Sequence, residues 1–206
     1  MQKYRTIKKL SNNAFLNLYE MEAVADSGRE FKYYFVSRND TPKLKLKTKE
    51  IKSEGMVIYP VLKEDPSKIV LIRQYRYPLD DYLYELPAGL IDGEETAEQA
   101  AIREMKEETG LMLELYNGGS QSFRRPFFMG AGFTDECSST VFGFASGEIS
   151  GQFLEETETI QVVVADKTEV RRILAQERVS VRGAFLLMNF LKADKEAPFA
   201  FLDETD

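Results

Sequence analysis

Histidine is absent from the 206 residues, and cysteine occurs once, as Cys137. Without histidine, Ser-His-Asp and Cys-His catalysis are excluded, and no imidazole can ligate zinc. A single cysteine excludes an internal disulfide framework and a cysteine-cluster metal site. Acid–base or metal chemistry must therefore run on carboxylates. No apolar run reaches the roughly 18 residues of a membrane span, and Met1-Gln2-Lys3-Tyr4-Arg5 leads into no signal-peptide core. The expectation is a cytoplasmic protein with no membrane partner. Glycine (13) and proline (7) are too few for a collagen-like or low-complexity chain. The remainder is globular in composition, with 43% hydrophobic and 30% charged residues.

The net charge of -7 is unevenly placed. Between Asp80 and Leu111 ten acidic residues face two basic ones, so the rest of the chain is nearly neutral. Residues 1–52 carry twelve Lys/Arg against six Asp/Glu. A compact acidic block on a neutral chain points to a cation site rather than to a nucleic-acid footprint.

Residues 14–25 and 29–37 read as strands around the turn Asp26-Ser27-Gly28, with Phe31, Tyr33 and Phe35 alternating along the second. Lys43, Lys45, Lys47 and Lys49 alternate as on a protected edge strand. Strands are expected at 56–62, 68–75, 82–86, 112–117, 121–128, 139–145 and 159–165, and helices at 167–177 and 183–193. Thr96 and Gln99 form a capping box that opens a helix running to Thr109, where Gly110 stops it. The chain is mixed α/β, with a β-rich module at 1–52 and a larger domain at 53–206.

Helical spacing places Glu104, Glu107 and Glu108 on one face. Three close carboxylates repel, and a hard divalent cation relieves that repulsion. Oxygen-only ligation selects magnesium, or manganese, over zinc. Magnesium is held by few carboxylates together with substrate phosphates, which points to a phosphate-bearing substrate.

The segment has Gly89, five residues, Glu95, seven residues, Arg103-Glu104-Met105, one residue, Glu107-Glu108, one residue, and Gly110-Leu111. It resembles the Nudix box at every specified position. That resemblance implies an α/β/α sandwich over roughly residues 55–194, hydrolysing nucleoside diphosphates linked to another group. It also implies metal ligation by Glu104, Glu107, Glu108 and the Ala88 carbonyl. Gly89 and Gly110 would supply close turns, and Glu95 with Arg103 an ion pair tying loop to helix.

Arg73-Gln74-Tyr75-Arg76 and Tyr84-Glu85-Leu86-Pro87-Ala88-Gly89 look like the ADP-ribose pyrophosphatase and nucleotide-sugar branch. Arg73, Arg76, Glu85 and Glu136 are the implied substrate contacts, the guanidinium fork suiting diphosphate oxygens. Gly130-Ala131-Gly132-Phe133 resembles the Ser-Pro-Gly loop of the branch, with Ala131 where proline is usual. Glu155-Glu156-Thr157-Glu158-Thr159-Ile160 resembles its acidic loop, which makes Glu156 the first candidate general base and Glu158 the second; Glu107 is the further catalytic candidate. The expected enzyme is a magnesium-dependent homodimer cleaving ADP-ribose to AMP and ribose 5-phosphate. The rivals are a GDP-mannose or UDP-sugar pyrophosphatase and, in another class, a non-catalytic nucleotide-sensing domain.

Overall fold

The computed structural model describes residues 2–154 and 156–203. It divides into two compact units, Met1–Glu54 with Pro126–Ser138, and Gly55–Arg125 with Ser139–Asp206. The first break between the units falls after Glu54. Residues 126–138, assigned by sequence to the larger domain, instead belong to the first unit. Hydrogen bonds hold them there: the Val36 N–H donates to the Phe133 carbonyl at 2.7 Å, and the Cys137 N–H to Glu54 at 2.8 Å.

In the first unit, β1 (Tyr4–Lys9), β2 (Asn17–Val24) and β3 (Glu30–Ser37) form an antiparallel sheet in that order. Gly28 turns between β2 and β3 with φ +83°, a conformation glycine adopts without steric cost. Tyr19 and Phe35 pair across the strands and stack at 5.3 Å, forming a small core with Leu44. Phe35 is therefore interior at 7% exposure, whereas Phe31 and Tyr33 are 40% and 37% exposed.

The lysine-alternating stretch is not an edge strand. Pro42 sits in a 3-10 turn (Thr41–Lys43), followed by the short helix α1 (Lys45–Thr48). Burial of Leu44 and the ion pair of the buried Lys45 with Glu54 outweigh the alternation.

The large sheet contains β4 (Gly55–Leu62), β5 (Lys68–Arg76), β6 (Asp81–Glu85), β7 (Ala88–Leu90) and, past helix α2 (Ala97–Thr109), β8 (Met112–Leu115). It continues with β9 (Phe127–Phe128), β10 (Cys137–Ser146) and β11 (Ile160–Asp166). Its order is β11-β5-β4-β10-β8, with β6 beside β5, β7 beside β4 and β9 beside β10. Residues 121–128, expected as one strand, form a 3-10 turn at Gln121–Phe123 and only the two-residue β9. Ser120 caps that turn, and Pro126, lacking an N–H, interrupts any ladder.

In the second unit β4 and β5 are apolar on both faces, as a strand covered on both sides must be. Met56, Ile58 and Val70 pack against Ala100, Ala101 and Met105 of α2. Val57, Tyr59, Ile69 and Leu71 pack on the other side against α3 (Lys167–Gln176) and α4 (Val181–Lys192) through Val170, Ile173, Leu187 and Phe190. The expected helix–sheet–helix layering is thus present. Phe199 and Leu202 complete the second core from the end of the chain.

Candidate active site

The capping box forms as expected: the Gln99 N–H donates to Thr96 Oγ1, and the Thr96 N–H to Gln99 Oε1. Gly110 closes α2 in the left-handed region at φ +77°. With both ends fixed, Ala100, Ala101 and Met105 face the core, which sets Glu104 and Glu108 beside that buried stripe. Glu108 is 2% exposed and accepts a hydrogen bond from the Ala88 N–H at 3.0 Å. Gly89 lies so close to the Glu104 carboxylate that any Cβ there would overlap it.

Arg103 ties loop to helix. Its Nε and Nη2 donate to the two Glu95 oxygens at 3.1 and 3.0 Å, and Nη2 also donates to the Leu90 carbonyl at 3.0 Å. Its Nη1 donates to Glu104 at 2.8 Å and to Glu107 at 2.9 Å. The Arg103 hydrogen bond holds the Glu95 carboxyl below its usual range.

Burial pushes the Glu104 carboxyl up to about 7; Arg103 opposes this, and the charges of Glu107 and Glu158 add to it. Burial likewise drives Glu108 well above the carboxylate range, with Glu104 and Glu158 contributing and Arg76 opposing. As the side chains stand, with Arg103 across Glu104 and Glu107, no three acidic groups among the described residues converge tightly enough to hold an ion. The donor set still fits a hard divalent cation. It is all oxygen, lies on one helical stripe, and includes the buried Glu108 and the part-buried Glu104, whose charges are costly without a counter-ion.

Strand alternation separates the two candidate arginines. On β5, Val70 faces α2, whereas Ile69 and Leu71 face α3 and α4. Continuing the period of two puts Arg76 on the α2 side with the carboxylates, and Arg73 on the opposite side. Arg73 stacks over the Tyr82 ring at 4.2 Å and donates to Gln161 Oε1 at 3.2 Å. Arg76 Nε donates to Glu85 Oε2 at 2.6 Å, and Glu85, opposite Ile72 in the ladder, is buried. The register arithmetic that separates these arginines was available in the sequence, but the face carrying α2 was not.

The two candidate bases also differ. Glu158 is partly buried and its charge acts on Glu104 and Glu108; Glu156 is exposed in the preceding turn. Glu155 of that acidic loop lies outside the described residues. Glu136 belongs to the first unit, where Arg38 lies 3.4 Å from its carboxylate.

Residues 51–182 match the NUDIX domain family. The chain is 38% identical over 125 residues to a putative nudix hydrolase 2 of Caenorhabditis elegans, covering 58% of this chain and about half, 54%, of that protein. It is 27% identical over 149 residues to an ADP-ribose pyrophosphatase of Bacillus subtilis, covering 70% of this chain and 76% of that one. A crystal structure of an ADP compounds hydrolase shares the fold with a TM-score of 0.65 at 20% identity, over 93% of this chain and 96% of the other.

Proposed function

The chain belongs to the NUDIX family, and on that premise we propose that it hydrolyses the diphosphate of ADP-ribose, with magnesium, to AMP and ribose 5-phosphate. The observation that carries this reading is the fully formed box, in which Ala88 and Gly89 of β7 pack against Glu104 and Glu108 on α2. The ADP-ribose activity named for the Bacillus subtilis relative supports this choice of substrate.

In this reading Glu104, Glu107, Glu108 and the Ala88 carbonyl would hold magnesium. The bound ion would neutralise diphosphate charge and lower the pKa of a water. Arg76, on the same side of the sheet and with only its Nε engaged by Glu85, orients the diphosphate by charge-assisted hydrogen bonds. Glu158 takes the proton from the attacking water; its influence on Glu104 and Glu108 supports it over Glu156. One P–O bond to the bridging oxygen breaks, water oxygen bonds to that phosphorus, and the bridging oxygen leaves on the other phosphate. Arg73, stacked on Tyr82 across the sheet, has no part in this scheme. Association into a homodimer through the exposed Phe31 and Tyr33 belongs to the same proposal.

The test is incubation with magnesium and ADP-ribose, GDP-mannose, UDP-glucose or diadenosine polyphosphates, with identification of the products. Release of AMP and ribose 5-phosphate from ADP-ribose is expected. Preferential cleavage of GDP-mannose or UDP-glucose reassigns the substrate, and no cleavage of any compound defeats the catalytic reading.

A further inference from the structure

Glu85 has an environment that a substrate-contacting carboxylate would not need. It is 7% exposed, at the end of β6, and its Oε2 accepts the Arg76 Nε at 2.6 Å, a short charge-assisted bond. The bond crosses the β5–β6 ladder, in which Glu85 pairs with Ile72 and Arg76 with Asp81. It is therefore a diagonal tie on the face shared with α2. A diphosphate carries negative charge, so a buried carboxylate makes a poor direct partner for it. A guanidinium held at Nε, by contrast, keeps its two terminal nitrogens available as a fixed fork.

We infer that Glu85 is a positioning residue: it fixes the Arg76 guanidinium so that its terminal N–H groups present a preorganised fork to the substrate diphosphate. The inference rests on the proposed diphosphate hydrolysis and deepens it. Without Glu85, Arg76 is a half-exposed, rotamer-rich side chain that must be ordered each time substrate binds. Misplacement of such a clamp costs up to about 100-fold.

Five forms decide it: the unaltered protein, Glu85→Ala, Arg76→Gln, the double variant and Glu85→Gln. Glutamine at 76 still donates an amide N–H to Glu85, so the buried carboxylate keeps a partner. Glu85→Ala should raise KM for ADP-ribose about 10- to 100-fold with little change in kcat or in affinity for magnesium alone. The double variant should be no worse than Arg76→Gln, because the two residues act through one group. Glu85→Gln, which retains an acceptor for Nε, should recover most of the loss.

In titrations of the same five forms with magnesium and inorganic pyrophosphate, the affinities should follow the same pattern. That arm is informative even if ADP-ribose is not the substrate, which separates failure of this inference from failure of the proposed function. Additive losses, equal pyrophosphate binding in all forms, or losses that follow a lowered melting temperature without rescue by Glu85→Gln would each overturn it.

Discussion

The carboxylate of Glu108 accepts a hydrogen bond from the backbone N–H of Ala88 at 3.0 Å, joining the buried end of α2 to the loop entering β7. A carboxylate so enclosed is held in the fold as much as it is offered to a ligand. Its replacement therefore separates folding from metal chemistry.

Glu108→Gln is expected to leave the fold intact, since glutamine still accepts from the Ala88 N–H. It should weaken magnesium affinity by more than about 10-fold, at least the scale seen when a supporting outer-shell group is lost. Calorimetric titration with magnesium and a melting curve in chelator check both parts. Unchanged magnesium affinity would remove Glu108 from the ligand set.

Stability of the metal-free protein should fall as pH rises from about 5 to 8. Glu104, at about 7, and Glu108, pushed well above the usual carboxylate range by burial, bind protons in the folded state that ordinary carboxyls in the unfolded chain have already released. Their folded pKa values lie above the unfolded ones, so the folded state gains stability as pH drops through that window. With no histidine in the chain, no imidazole masks the trend. Melting temperatures in chelator that climb with pH over this range would contradict it.

Gly89→Ala is expected to damage the site without unfolding the chain. The added Cβ overlaps the Glu104 carboxylate, which must swing away from its place against the loop. Weaker magnesium binding with a nearly unchanged circular dichroism spectrum is the expected pair of results. Full magnesium affinity would show that Glu104 binds from elsewhere.

Removing the base should cost kcat roughly 10²- to 10⁴-fold. That loss is expected for Glu158→Gln, with KM and metal affinity little changed, and a much smaller one for Glu156→Gln. Steady-state kinetics of the two variants decide between them, and the reverse pattern would return the assignment to Glu156.

A homodimer predicts a sedimentation mass of twice 23.6 kDa at micromolar concentration. Phe31→Ser combined with Tyr33→Ser should shift it toward the monomer, whereas Phe35, packed on Tyr19, should instead affect stability. A monomeric mass for the unaltered protein would end this proposal.

The local signals in the sequence were sufficient wherever one segment decides its own conformation. The capping box at Thr96 and Gln99 and the stop at Gly110 follow from spacings of a few residues on one helix, and the Glu95–Arg103 tie is the one the family resemblance implied. Helical spacing likewise put Glu104, Glu107 and Glu108 on one face of α2. Lys43–Lys49 misled because alternation is only a local signal, and it lost to the burial of Leu44 and a salt bridge from Lys45 to Glu54 nine residues on. Residues 126–138 joined the first unit through hydrogen bonds to Val36 and Glu54, which no short window contains. Arg73 and Arg76, three residues apart on one strand, had to point to opposite faces, but nothing in the sequence said which of the two faces the carboxylates. Tertiary structure distinguished them, because a strand sends alternate side chains to opposite faces and only the packed sheet shows which face carries α2. Burial is likewise a property of the assembled fold, so the sequence determined which carboxylates share a helix face, and packing decided which of them lose water and are pushed up in pKa.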